Sequence, residues 1–264
     1  MKKIVLLFLI LSLACCSSDD SDTNNSEVST LQVSVTQDAT TVGIDEIVTL
    51  TATANEIINE ISFSKDGGLT FPSSYGSDFG TTANLYLDFE SVGTKTVVFR
   101  VKNAVGDTVD TIVTIDVERG NAVQVQSLQL NSFFNMGGTW DDEFGSTNPQ
   151  RLADVVFALL KRRLNVYTGE RSNIYSVWYR SEIRANETNL TWDMQNENLL
   201  INLNQLMPFI GFGDDDGNNI GQDLMLGPPF ERVVPILDYI NTQPNSILVN
   251  EADIDLEYEL LVNW

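Results

Sequence analysis

Histidine is missing from all 264 residues. Its absence removes Ser-His-Asp and Cys-His nucleophilic mechanisms, the commonest general base and the usual zinc ligand. Cysteine is nearly missing too. The two present, Cys15 and Cys16, are adjacent near the N-terminus, so none is left for a disulfide, a zinc site or a nucleophile in the body of the chain. Basic side chains are scarce, with 15 Lys and Arg against 37 Asp and Glu and a formal charge of −22. Such a surface repels nucleic acid and anionic headgroups and suits cations and neutral ligands such as glycans. No apolar run is long enough to span a bilayer. Residues 4–14 would reach roughly 16 Å as a helix, about half of a hydrocarbon core. Carboxylate-only chemistry, as in many glycosidases, stays open.

What is present begins with a leader. Lys2 and Lys3 precede the unbroken apolar residues 4–11, the layout of a secretory signal over residues 1–15. Leu13-Ala14-Cys15-Cys16 resembles the lipobox of bacterial lipoproteins. With Cys16 as the lipidated residue, Leu13 and Ala14 occupy the third and second positions before it. With Cys15 as the alternative, Ala14 directly precedes it but Ser12 stands in the usual Leu position. The resemblance implies removal of the leader and a diacyl or triacyl anchor, which holds to a membrane without a second signal. Ser17-Ser18-Asp19-Asp20-Ser21-Asp22 resembles the acidic surface-export signal of Bacteroidetes lipoproteins, which implies the outer leaflet of the outer membrane. Composition alone predicts that residues 16–29 form a disordered acidic tether. Without Lys2 and Lys3 the balance becomes 13 basic against 37 acidic residues, a formal −24.

The remainder predicts an all-β chain of two tandem β-sandwich domains. In residues 30–118, alternation is clear in Leu31-Gln32-Val33-Ser34-Val35 and in the Thr-rich segment 47–54. Residues 96–101 and 108–117 form a further pair around the turn Asn103-Ala104-Val105-Gly106-Asp107. Short strands at this spacing point to an immunoglobulin-like sandwich. The segment Gly93-Thr94-Lys95-Thr96-Val97-Val98-Phe99-Arg100-Val101-Lys102-Asn103-Ala104-Val105-Gly106 is similar to the C-terminal hairpin of polycystic-kidney-disease (PKD) repeats. The family's Trp-Asp-Phe-Gly-Asp-Gly loop is replaced by Phe63-Ser64-Lys65-Asp66-Gly67-Gly68. Such modules commonly act as spacers or carbohydrate-associated domains.

A boundary is expected at Glu118-Arg119-Gly120-Asn121. Beyond it, strands are predicted over 123–130, 155–160, 164–168, 174–183 and 199–203. In the last strand Ile254, Leu256, Tyr258 and Leu260 face one way. Residues 150–163 also fit helical spacing. The strand reading is preferred, with Lys161-Arg162-Arg163 as a turn. One helical turn fits within 230–240. Residues 121–264 resemble the calcium-dependent lipid-binding sandwich first named for conserved region two of protein kinase C. Trp140-Asp141-Asp142-Glu143 followed by Ala153-Asp154-Val155-Val156-Phe157 matches its first acidic loop and strand. Phe209-Ile210-Gly211-Phe212-Gly213-Asp214-Asp215-Asp216-Gly217, then Gln222-Asp223-Leu224, match its later ones. Val155-Val156 replaces the family's Pro-Tyr, and its basic groove has no counterpart.

The chemistry of these loops stands apart from the resemblance. Calcium takes six to eight hard oxygens from flexible loops. The expected ligands are Asp141, Asp142, Asp154, Asp214, Asp216 and Asp223, with Asn218 and Asn219 adding oxygens. A solvated acidic loop with Asx turns is the alternative. The spacing excludes an EF-hand. Trp140, beside Gly137-Gly138-Thr139, is the candidate stacking platform for a sugar ring, whereas Trp178 and Trp192 suit the core. No catalytic residues are identifiable. The expectation is therefore a non-enzymatic, lipid-anchored module on the outer membrane that binds glycan or protein, with no nucleic-acid partner. A carboxylate-only glycan-active enzyme and a structural partner of an outer-membrane complex are the alternatives.

Overall fold

A computed structural model of the chain describes residues 30–217 and 220–264. The expected leader, the tether with Cys15 and Cys16, and loop residues Asn218 and Asn219 lie outside the described residues. Within them the regular structure is all strand, with five short 3-10 turns and no α-helix. Leu31–Trp264 fold as one unit with two hydrophobic cores, which meet at Ala122 and Val123.

The first sandwich holds β1 (Val33–Gln37), β2 (Thr41–Gly43), β3 (Val48–Ala54), β4 (Ile58–Ser64), β5 (Ser74–Gly76), β6 (Thr82–Leu87), β7 (Gly93–Asn103) and β8 (Thr108–Glu118). One sheet has the order β1-β3-β6. The other has the order β2-β8-β7-β4-β5, with β2 parallel to β8. Alternation dictates the packing: Val48, Leu50 and Ala52 of β3 are buried while the threonines between them face outward. Asn103 closes the β7–β8 turn by accepting from the Asp107 N–H at 2.8 Å. The turn continues through Gly106 at φ +98°.

The second sandwich holds β9 (Val123–Ser132), β10 (Val155–Leu164), β11 (Arg171–Arg180), β12 (Thr191–Asp193), β13 (Leu199–Ile201), β14 (Phe209–Asp215), β15 (Ile220–Asp223), β16 (Arg232–Val233), β17 (Ser246–Glu251) and β18 (Leu256–Asn263). Its sheets run β12-β9-β18-β17, with β13 also on β9, and β11-β10-β14-β15, with β16 on β14. Phe157, Trp192, Phe212 and Tyr258 fill the space between the sheets. Phe157 meets Trp192 edge-on at 5.0 Å.

Strand β10 explains the helix-like spacing of residues 150–163. Val155, Phe157 and Leu159 face the core, yet Val156, Ala158 and Leu160 on the opposite face are buried as well. A strand covered on both faces is apolar at every position, so a 3.6-residue period can be drawn through it. Residues Pro149–Arg151 form only a 3-10 turn. The expected turn at Lys161-Arg162-Arg163 is corrected: the strand runs through it to Leu164, and the loop lies at 165–170. The expected strand over 164–168 is that loop. A single 3-10 turn occupies Pro235–Tyr239.

Lys161 stays in the strand because its partner lies in the other sandwich. Its ammonium is 3% exposed and donates to both oxygens of Asp45, at 3.1 and 3.2 Å, and to the Leu200 carbonyl at 2.9 Å. It also lies 3.8 Å from the Trp178 ring centroid. Asp45 is 1% exposed and adopts φ +61°, a conformation Asp tolerates. It takes a third hydrogen bond from the Asn202 N–H at 2.9 Å, and its own carbonyl accepts from Arg171 at 2.7 Å. Burial pushes the Asp45 carboxyl up and the Lys161 ammonium down, and in each case the partner's charge opposes that push.

The β10–β11 loop completes the joint. Val166 and Tyr167 pack on the first core, the Tyr86 N–H donates to the Val166 carbonyl at 2.8 Å, and Tyr167 stacks on Tyr75 at 5.0 Å. Gly169, at φ +75°, lies so close to Tyr86 that an added Cβ would stand 2.9 Å from its ring. Arg171 and Asp88 form a second cross-joint pair at 2.8 Å.

Removing one member of a buried ion pair strands the other. Lys161→Met is therefore expected to cost about 3–5 kcal/mol at neutral pH in urea unfolding. Adding Asp45→Asn, which removes the stranded charge, should recover a large part of that loss. An unchanged unfolding midpoint for Lys161→Met would show that the pair does not hold the joint.

Candidate metal site

The acidic loops converge at one end of the second sandwich. Strand β14 carries Asp214 to the end of the sheet opposite Val155, on the inward face, while Asp215 points outward and pairs with Arg180. The loop after β9 brings Asp141 alongside. It is held there by Trp140 N–H to the Arg151 carbonyl at 2.8 Å, and by the Arg151 guanidinium bound to the carbonyls of Ser146, Gly137 and Gly138. The carboxylates of Asp141, Asp214 and Asp216 offer oxygens that all lie within 4.8 Å of one another. Asp214 has no solvent exposure, and Asp216 is exposed at the mouth.

One carboxylate oxygen of Asp214 is satisfied and one is not. Oδ1 accepts from the Asp154 N–H at 2.6 Å. Oδ2 is buried without any hydrogen-bond partner, a costly state for a carboxylate oxygen. Burial is the largest cause pushing this carboxyl up to about 6. The Asp154 amide opposes it, and the charges of Asp141, Asp216 and Asp154 add to it. Asp141 is pushed up by burial and by Glu143, Asp154 and Asp216. A divalent cation bound here would resolve both problems at once, since it would supply a partner for the orphaned oxygen and cancel the mutual repulsion.

The other expected ligands have different employment. Asp154 lies next to the cluster, but its Oδ1 accepts from the Asn186 N–H at 2.8 Å. Asn186 itself carries a buried Oδ1 without a partner, an oxygen that the acidic motifs did not single out. Asp142 is exposed and outside the cluster. Asp223 caps its own loop, accepting from the Met225 N–H at 2.9 Å and from the Gly227 N–H, and is not part of the group. Trp140 is corrected. It is 7% exposed, packs in the core against Phe133 at 6.2 Å and donates its indole N–H to the Asn135 carbonyl at 3.3 Å. Its faces are not open to a sugar ring.

No protein-family model matches the chain, and no curated protein matches it. Among solved structures it is similar to the human OSCAR ligand-binding domain at 11% identity and TM-score 0.26, over 71% of this chain and 91% of that one. It is also similar to fibronectin(III)-like modules of Clostridium thermocellum CbhA at 14% identity and TM-score 0.25, over 69% and 87%. Likeness at that level carries no argument about what this chain binds.

The raised Asp214 carboxyl has a signed consequence in the metal-free chain. Its folded value of about 6 exceeds the ordinary 3.8, so its stabilising contribution is complete below about pH 4 and is lost as pH rises through 6. With chelator present, the melting temperature of the wild type should fall further between pH 4 and 7 than that of Asp214→Asn. Parallel profiles for the two proteins would contradict the assignment.

Proposed function

We propose that this chain is a lipid-anchored, surface-presented binding module whose distal loops are organised by calcium. The observation that carries the reading is the buried, unpartnered oxygen of Asp214 within a group of three converging carboxylates. Calcium suits this set better than zinc, since every candidate ligand is a hard oxygen and nitrogen and sulfur donors are absent from the group. Three carboxylates leave coordination positions for main-chain carbonyls and water. The placement of acidic residues after β9 and at the end of β14 also agrees with the resemblance to calcium-dependent lipid-binding sandwiches. In the same reading the first sandwich is a PKD-like spacer, Cys16 bears the acyl anchor, and the acidic tether holds the body away from the outer membrane. The ligand class is glycan or protein, because a net charge of −22 disfavours nucleic acid and anionic lipid.

Thermal unfolding tests the metal. Millimolar calcium at pH 7 should raise the melting temperature by about 5–10 °C if the site is filled a hundredfold above its dissociation constant. Asp214→Ala and Asp216→Ala should abolish the shift, and Asp142→Ala and Asp223→Ala should retain it. No shift in the wild type discards the site. Radiolabelled palmitate incorporation that is lost in Cys16→Ser and kept in Cys15→Ser tests the anchor, and the reverse pattern would move it to Cys15.

A further inference from the structure

The scarce basic residues are not scattered. Thirteen of the 15 Lys and Arg lie among the described residues. Seven of these form ion pairs with carboxylates. Arg119 and Arg151 donate to main-chain carbonyls. The four that remain are Lys65, Lys95, Arg162 and Arg163, and none has a carboxylate partner among the described residues. All four line one open cleft of about 620 Å³ where the two sandwiches meet. A volume of that size falls within the range of ligand sites.

The cations reach the cleft from both sides. Lys65 follows β4, its ammonium 5.6 Å from the Phe89 ring centroid. Lys95, on β7, is steadied by the Ser91 hydroxyl at 2.8 Å and the Val92 carbonyl at 3.1 Å. Arg162 donates to the Tyr175 hydroxyl at 3.1 Å, which leaves most of its guanidinium donors free. Arg163 is exposed, and its side chain makes no hydrogen bond or ion pair among the described residues. The buried Lys161–Asp45 pair fixes the floor and contributes no net charge. Of the other two carboxylates on the wall, Asp88 is neutralised by Arg171, and Glu90 has no ion-pair partner among the described residues. The cleft is therefore a cationic pocket in a strongly anionic molecule.

We propose that this cleft binds an acidic oligosaccharide through its carboxylate or sulfate groups. The inference rests on the binding-module reading and names its ligand chemistry, but it does not depend on the metal. Cations contributed by two separate domains suit a ligand with anionic groups spaced along several units better than one small anion. Ser91, Thr96 and Ser176 are further polar residues of the lining, and the half-buried Trp178 offers an aromatic surface, which together suit a polyhydroxylated ring. The surrounding −22 charge repels a long polyanion such as nucleic acid, so a short segment or chain end is what enters.

Calorimetric titration of the whole protein in EDTA tests this, with a heparin-derived tetrasaccharide, tetragalacturonate, neutral cellotetraose and tetraglutamate as probes. Sulfated or uronic saccharide should bind, with affinity reduced at least tenfold by Arg162→Ala/Arg163→Ala and weakened by salt, while cellotetraose should not. The two acidic sugars distinguish sulfate from carboxylate preference. Equal binding of tetraglutamate overturns the saccharide assignment, and affinity unaffected by the double substitution, or no acidic sugar binding, overturns the site. Because EDTA removes calcium, binding here with no calcium-dependent melting shift would sink only the metal reading, and the converse only this one.

Discussion

The buried pair between Lys161 and Asp45 is where this structure stops being two modules on a string. Each group would be too costly to bury alone; Lys161 donates to Asp45 across the joint and to Leu200, while Asp45 accepts from Lys161 and from the Asn202 amide, both in the other sandwich. Lys161 needs the tight turn that holds Asp45 left-handed. Asp45 needs β10 to continue as strand into the three consecutive basic residues, and the end of β13 to present the Asn202 amide. Around that pair the β10–β11 loop lies against the first core, Leu200 joins the same core, and Arg171 reaches Asp88. A buried ion pair is poor evidence of added stability over an apolar contact, but its geometric demands are strict, and that makes it effective at fixing one arrangement of the two sandwiches.

Strand β10 also separates the two chemistries. Its first residue pairs with Asp214 beside the acidic cluster, and its last turns into the joint with Arg162 and Arg163. The eight residue steps of strand from Val155 to Arg163 cover roughly 26 Å, well beyond the screening length in physiological salt. A cation at one end and an anion at the other would therefore occupy their sites with little direct electrostatic help from each other. The doubly buried middle of the strand supplies a stiff spacer between them.

Much of the strand order was readable because most strands have one dry and one wet face. The alternation in β3, β8 and β18 reports that directly. It failed where both faces are covered, as in β10, and where a charge is satisfied from far away. Lys161-Arg162-Arg163 is the only run of three basic residues in the chain, a feature that local reasoning assigns to a solvent-exposed turn. Nothing nearby in sequence announces that Asp45, 116 residues earlier, neutralises the first of them. The acidic motifs included the three carboxylates that converge, Asp141, Asp214 and Asp216, but did not separate them from Asp142, Asp154 and Asp223. Whether an Asp side chain faces its neighbours or caps an amide, as Asp223 does, depends on loop geometry that composition does not encode. Trp140 shows the same limit, since a glycine-flanked aromatic looks exposed until Phe133 is seen beneath it.

The position of Asp45 bears on the order in which the chain can be completed during synthesis. When residues 31–118 have emerged, every strand of the first sandwich is present, yet a carboxylate destined for its interior has no ammonium, and Leu200 is still missing from its core. That half remains solvated at the seam until Lys161 of β10 and Leu200 of β13 arrive, 43 and 82 residues after Glu118. The N-terminal sandwich, though first out, is thus finished by its successor, and a fragment ending at the domain boundary would carry an unsealed edge.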